Sequence, residues 1–416
     1  MKKEKTPNIR FKKFEHNWFK DCLSKVSNSI EYGLNASAKD FDGIHKYLRI
    51  TDIDDSSRLF LTDKLSSPDV NFTEEDYENY KLRINDLLFA RTGASVGKTY
   101  LYRESDGEVY YAGFLIRARL HDSYDGNFIF QQTLTDKYKQ FIEITSQRSG
   151  QPGVNGKEYG DWKIGMTSYP EQSAIGSLFR TLDDLLASYK NNLANYQSLK
   201  VTMLSKMFPK AGQTVPEIRL NGFEGEWEVQ ALKELASFSK GNGYTKNDLV
   251  NSGKEIILYG RLYTNYQTVI SKVNTFVTTV KINTVISKGG EVIVPASGET
   301  AEDISRASVV KKSGIILGGD LNIIYPDENK VNSIFLALTI SNGSQQKELI
   351  KRAQGKSVVH LRNNDLEKVV LHYPSMEEQR AISAYFSNLD DLISDHQEKI
   401  SQLETLKKKL LQDMFI

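Results

Sequence analysis

Apolar residues recur mainly at intervals of three or four positions between residues 171 and 208, at Ile175, Phe179, Leu182, Leu186, Tyr189, Leu193, Tyr196, Met203 and Met207. The rhythm returns near the end of the chain at Ile382, Phe386, Leu389, Ile393, Ile400, Leu403, Leu410 and Met414. Alternating 4-3 spacing over several heptads predicts two long helices, each with an apolar seam, over 171–208 and from about Ser375 to the end. At 1.5 Å per residue each is about 55 Å long. A globular domain rarely offers a face long enough to cover such a stripe, so the two seams are expected to cover each other, antiparallel.

Elsewhere the pattern is shorter. Runs of strand formers predict strands at DLLFA (86–90), KTYLYR (98–103) and FLIRARL (114–120), and again at EIILYG (255–260), TVISKGGEVIVP (284–295) and NIIYP (322–326). RSGQPGVNGKEYG (148–160) is too rich in glycine for a regular element and predicts an ordered loop. PKAGQTVP (209–216) predicts a linker. The division expected is a mixed module over 1–162, a helix over 163–210, a linker over 211–217, a second module over 218–367 and a second helix over 368–416.

The two halves are copies. Sliding the chain by 207 positions lays Glu171-Gln172 on Glu378-Gln379 and Phe179 on Phe386. It also lays Asp183-Asp184-Leu185 on Asp390-Asp391-Leu392 and Met207-Phe208 on Met414-Phe415. At an offset of 209 (216 − 7), PNIRFKKFEHNW from Pro7 matches PEIRLNGFEGEW from Pro216. The middles agree faintly: YLRIT at Tyr47 with YGRLY at Tyr259, NDLLFARTG at Asn85 with GEVIVPASG at Gly290, and AGFLI at Ala112 with GGDLN at Gly318. Matched ends around divergent middles indicate two modules doing one task on different targets.

Composition narrows the class. With 39% apolar and 26% charged residues the chain reads as a soluble globular protein. A net charge of +1 gives no bulk signal for nucleic acid, which leaves local basic patches. One cysteine, Cys22, excludes an internal disulfide framework and fits a reducing cytoplasm. The basic start lacks the apolar run of a signal peptide, and no stretch reaches the length of a membrane span.

No catalytic constellation emerges. GASVGKT (93–99) resembles a phosphate-binding loop but has one residue too few between the glycine and the Gly-Lys pair. The six histidines are scattered, and no zinc spacing appears. Ser149 lies in SGQPG, not in a nucleophile elbow. The adjacent acids Asp183-Asp184 and Asp390-Asp391 point about 100° apart on a helix and predict a solvated face.

The order P-x-I-R-[FL]-x-x-F-E-x-x-W, a variable module, then an EQ-x-A-I helix carrying L-D-D-L, all repeated, resembles the DNA-specificity subunit of type I restriction–modification systems. The resemblance covers nearly the whole chain. It implies an α+β fold: two mixed α/β target-recognition domains joined by two long helices that form an antiparallel coiled-coil spacer with pseudo-twofold symmetry. Each domain would read one half of a split site in double-stranded DNA. The helices would set the spacing and dock two methyltransferase subunits, and restriction/translocase subunits would cut. The chain itself would be non-catalytic and without cofactor, S-adenosylmethionine belonging to the methyltransferase partner. The alternative is a protein–protein scaffold that uses the helical pair alone and binds no DNA.

Base reading needs polar side chains on loops. Candidates in the first module are Arg91, Thr92, Ser95, Lys98, Gln147, Arg148, Gln151, Asn155 and Lys157. Those in the second are Ser297, Thr300, Arg306, Lys351, Arg352, Gln354, Lys356 and Ser357. RTGASVGK and QRSGQPGVNGK stand out as polar, glycine-containing loops. The helical seam is assigned to Ile175, Phe179, Leu182, Leu186, Leu193, Met203, Ile382, Phe386, Leu389, Ile393, Ile400 and Leu410.

Overall fold

The structure is a computed structural model that describes residues 6–148, 150–355 and 358–416. The predicted long helices are Tyr169–Lys206 and Met376–Asp413. The chain forms two compact units, one holding the chain up to Asn191 together with Gln397–Ile416, the other Asn192–His396. The division falls midway along each long helix, not at the 209–216 linker.

Packing explains this. Met207 and Phe208, at the end of the first long helix, are buried in the second unit's core. There Phe208 lies 5.8 Å from Phe335 and 6.2 Å from both Trp227 and Phe386, centroid to centroid. Met414 and Phe415 are buried in the first unit's core. Phe415 lies 5.5 Å from Phe128, 5.7 Å from Phe179 and 6.3 Å from Trp18. Each helix therefore ends as part of the other module's core.

The first unit's main sheet has four antiparallel strands in the order Ser27–Tyr32, Leu115–Leu120, Asp86–Ala90, Thr99–Leu101. Asp86–Ala90 is buried along its whole length, which is why it reads as a continuous apolar run. Its one acid, Asp86, accepts two hydrogen bonds from Arg119, both 2.9 Å. The second unit's corresponding sheet runs Ala236–Lys240, Leu321–Pro326, Val292–Pro295, Ser308–Val310, Val269–Ile270. A second five-stranded sheet gathers Leu249–Val250, Phe276–Val277, Lys254–Ile257, Ile316–Leu317 and Val285–Ile286. The predicted strand 284–295 is thus two strands in two sheets, parted by the Gly289-Gly290 turn. The glycine-rich stretch 148–160 is a loop only in part, because Asn155 and Glu158 form a capping box that starts a short helix, Gly156–Gly160.

The internal repeat is structural as well. Phe19–Cys22 pairs antiparallel with Lys163–Met166, and Glu228–Ala231 pairs in the matching register with Val370–Tyr373. One faint match needs correction. Leu48 O accepts from Ala112 N as Ile257 O accepts from Gly318 N, so Leu48 corresponds to Ile257. The likeness of YLRIT to YGRLY is therefore three residues out of register.

In each unit the helices pair antiparallel. In the first, Asp183 pairs with Lys407 and Lys190 with Glu404. In the second, Lys200 pairs with Asp390, and the Tyr196 ring stands edge-on to His396 at 5.1 Å. Of the assigned seam, Ile175, Phe179, Leu182, Leu186, Ile382, Phe386 and Leu389 are buried. Leu193, Met203, Ile393, Ile400 and Leu410 are half-buried, since two helices alone cover one side of each stripe. The acidic doublets divide their labour, contrary to a uniformly solvated face. Asp184 and Asp391 are exposed, whereas Asp183 and Asp390 are half-buried partners of lysines on the opposite helix.

Candidate nucleic-acid interface

Repeated side chains brace both modules. Arg10 donates to both oxygens of Glu171 at 2.6 and 2.7 Å and to the His16 carbonyl at 2.6 Å. Arg219 does the same with Glu378 at 2.7 and 2.6 Å, and donates to the Gly225 carbonyl. Burial pushes the Glu171 carboxyl up, but the hydrogen bonds from Arg10 and Thr167 prevail and hold it below the usual glutamate range. The neighbouring glutamines repeat too. Gln172 accepts from Asp125 N and donates to the Thr167 carbonyl, as Gln379 does with Asn332 N and the Pro374 carbonyl.

On this frame the two loops singled out in the first module meet. Gly93 N donates to Pro152 O at 3.0 Å and Val154 N to Arg91 O at 2.9 Å, with Thr92 bridged to Gly153. From beneath, Tyr138 Oη donates to Gly97 O at 3.0 Å, and Tyr159 Oη accepts from Gly97 N and donates to Ala90 O at 2.7 Å. Burial raises both phenols, so they stay neutral struts. Gly93 and Gly97 have φ of 74° and 82°, and a Cβ on Gly97 would sit 2.8 Å from Ile142. The glycines of GASVGKT thus serve a tight turn. The segment leads into strand Thr99–Leu101 and not into the helix a phosphate-binding loop requires.

The structure assigns the candidates different situations. Arg91 is half-buried, its guanidinium 5.0 Å from the Tyr32 ring and 5.9 Å from the Phe114 ring. Thr92 and Ser95 lie half-buried on the same loop. Gln147, Gln151 and Lys157 are exposed on the facing segment. Arg148 is tied to Glu158, and Asn155 caps the short helix. Lys98 turns inward, donating to the Ile53 carbonyl and pairing with Asp55, its side chain 10% exposed.

The second module builds the same platform. Ser297 pairs with His360 where Thr92 bridges Gly153, and Leu361 N donates to Ala296 O at 3.0 Å where Val154 N donates to Arg91 O. Gln354 is exposed beside it, its backbone bonded to His360. Ser297 itself is buried. Thr300 caps Ala301–Ile304. Arg306 lies 5.6 Å from the Tyr266 ring. Lys351 is exposed, and Arg352 pairs with Glu348. Ser149, Lys356 and Ser357 lie outside the described residues.

Sequence reasoning missed the residues that flank these loops. Arg91 N donates to Phe114 O as Ala296 N donates to Asp320 O, and Gly33 N to Leu115 O as Gly241 N to Leu321 O. Phe114 therefore corresponds to Asp320, and Tyr32, just before Gly33, to Lys240. Tyr32 is 45% and Phe114 61% exposed. Aromatic residues at strand ends next to a polar loop were the available signal. In the second module Asp320 borders a cleft of about 850 Å³, lined also by Tyr244, Lys246, Tyr259, Arg261 and Asn274. Among the described residues no group of three or more His, Cys, Asp and Glu could hold a metal, and no helix is long and apolar enough to cross a membrane.

Residues 224–405 match the family described as type I restriction modification DNA specificity domain. The type I restriction enzyme MjaVIII specificity subunit of Methanocaldococcus jannaschii is 20% identical over 385 residues, 90% of this chain and 85% of that protein. The putative type I restriction enzyme MjaX specificity subunit of the same organism is 22% identical over 407 residues, 94% and 90% of the two chains. The fold is similar to the crystal structure of a type I restriction–modification S subunit from M. genitalium, with a TM-score of 0.65, 14% identity and 99% of both chains covered.

Proposed function

We propose that the chain is a DNA-specificity subunit of the kind it resembles, that of type I restriction–modification systems, and that each module reads one half of a split DNA site through its two-loop platform. The observation that carries this reading is one backbone platform, built twice, with different side chains at corresponding positions. Backbone that repeats can present two reading heads to a duplex in the same way, and side chains that differ can select different bases. The chain is the reader and not the catalyst. S-adenosylmethionine chemistry falls to two methyltransferase subunits, and cleavage to restriction/translocase subunits.

Exchanging residues 7–162 for the matching module of a relative, then mapping methylation by the assembled complex, tests the assignment. One half of the methylated motif is expected to change while the other half and the gap persist. A change in both halves would show that the modules do not read independently.

The long helices are the natural ruler between the half-sites. Adding four residues after Asn191 and four after His396 preserves the pairs of each unit, Asp183–Lys407 in one and Lys200–Asp390 in the other. Four residues span about 6 Å, so a gap longer by one or two base pairs is expected, at about 3.4 Å per pair. Methylation at the original gap would remove the helices from that role.

A further inference from the structure

We infer that Arg91, whose guanidinium lies against the rings of both Tyr32 and Phe114, reads a guanine in the half-site assigned to the first module. The inference rests on the platform's role in reading DNA and goes beyond it by naming a residue and a base.

The other cations near the loop are occupied or unconstrained. Lys98 is spent on Asp55 and the Ile53 carbonyl, and Arg148 on Glu158. Lys157 is exposed on a short helix, a flexible charge suited to a phosphate. Arg91 differs from all three. Among the described residues its guanidinium has no carboxylate or carbonyl partner, although two aromatic rings hold it at 5.0 and 5.9 Å. Its backbone is fixed at both ends, N donating to Phe114 O and O accepting from Val154 N.

Two rings near one guanidinium restrict its rotamers and take none of its N–H groups as a carboxylate or carbonyl would, which leaves the N–H edge able to donate. That edge is a planar pair of donors. Guanine presents O6 and N7 as a planar pair of acceptors in the major groove, and no other base offers two acceptors side by side there. A phosphate would accept from arginine at many angles and would not need this preparation. The second module supports the same conclusion by contrast. Lys240, Ala296 and Asp320 stand at the corresponding positions, so the clamp is not part of the repeated scaffold. It belongs to what distinguishes one reader from the other.

The test uses the full chain assembled with its methyltransferase subunits, with methylation mapped at base resolution on a random-sequence DNA library. The wild-type motif is expected to contain an invariant guanine in the half that changes on exchange of the first module. Arg91→Ala is expected to make that position degenerate, with discrimination falling roughly 10- to 100-fold while the remaining positions hold. Arg91→Lys should keep a partial preference for guanine. Tyr32→Leu combined with Phe114→Leu should weaken the preference less than Arg91→Ala does. An unchanged melting temperature shows that each variant is folded. If Arg91→Ala lowers methylation evenly and leaves the motif intact, Arg91 is a phosphate contact and the inference is overturned, while the half-site reading stands. If exchanging the module alters neither half of the motif, the half-site reading itself falls, and this inference with it.

Discussion

The two modules share a frame and differ at the reading edge. Arg10–Glu171 and Arg219–Glu378 are the same bidentate pair, and Trp18, Phe128, Phe179 and Phe415 form the same cluster as Trp227, Phe335, Phe386 and Phe208. Next to the loops, Tyr32, Arg91 and Phe114 in one module correspond to Lys240, Ala296 and Asp320 in the other. Frame residues are bound by partners that are themselves repeated, so a change in one strands another. Edge residues reach solvent and have fewer repeated partners, although Tyr32 also accepts a hydrogen bond from Gly156 N through its hydroxyl. Divergence is therefore tolerated where a ligand would be met and resisted where the core is closed.

The sharpest way to break the equivalence of the frames is through the exchanged helix ends. Phe415→Ala and Phe208→Ala each remove a buried ring, and each is expected to lower stability by about 3 to 5 kcal/mol in denaturant unfolding. Destabilisation by one substitution alone would mean that the clusters look alike but do not carry equal weight.

A smaller effect is expected at the arginine–glutamate braces. Arg10→Leu and Arg219→Leu each leave a buried carboxylate without its partner, and about 3 kcal/mol should be lost. The first brace also predicts a pH dependence. Because Glu171 titrates below its ordinary value of 4.5 in the folded state, its contribution is complete above that value and is lost as pH falls through the lower, folded one. Acid unfolding curves of Arg10→Leu should lack this component, and an unaltered acid limb would contradict it.

The smallest effect belongs to the interhelical ion pairs. Asp183→Asn and Asp390→Asn should each cost about 1 kcal/mol, since both pairs keep partial contact with solvent and Asn retains a hydrogen-bond acceptor. Thermal unfolding should rank them together, below the braces. A much larger loss at Asp183 alone would point to its added bond from Gln131 and so to a real asymmetry between the units.

Much of this was legible in the order of residues. Periodicity placed both long helices to within a few residues, and the doubled Glu-Gln and Met-Phe residues marked the frame before their contacts were known. The two polar loops of the first module were identified separately and prove to be hydrogen-bonded to each other. The candidates in the second module fared differently. Thr300 is a helix cap, Arg352 pairs within its own helix, and Ser297 is buried. Residue type marks a side chain as able to bind DNA but does not say what already occupies it. Lys98, which looked as available as Arg91, is occupied by Asp55, more than forty residues away in the chain.

The sequence by itself determined the repeat, the helical seams and the family pattern, because these depend on residue type and on spacing along the chain. The tertiary structure alone decided that each long helix ends inside the other module's core, that Asp183 and Asp390 pair while their neighbours stay solvated, and that Tyr32 and Phe114 flank Arg91. Those facts depend on which distant segments meet. Local periodicity carries no record of such meetings, because the free energy that selects them comes from long-range burial and pairing.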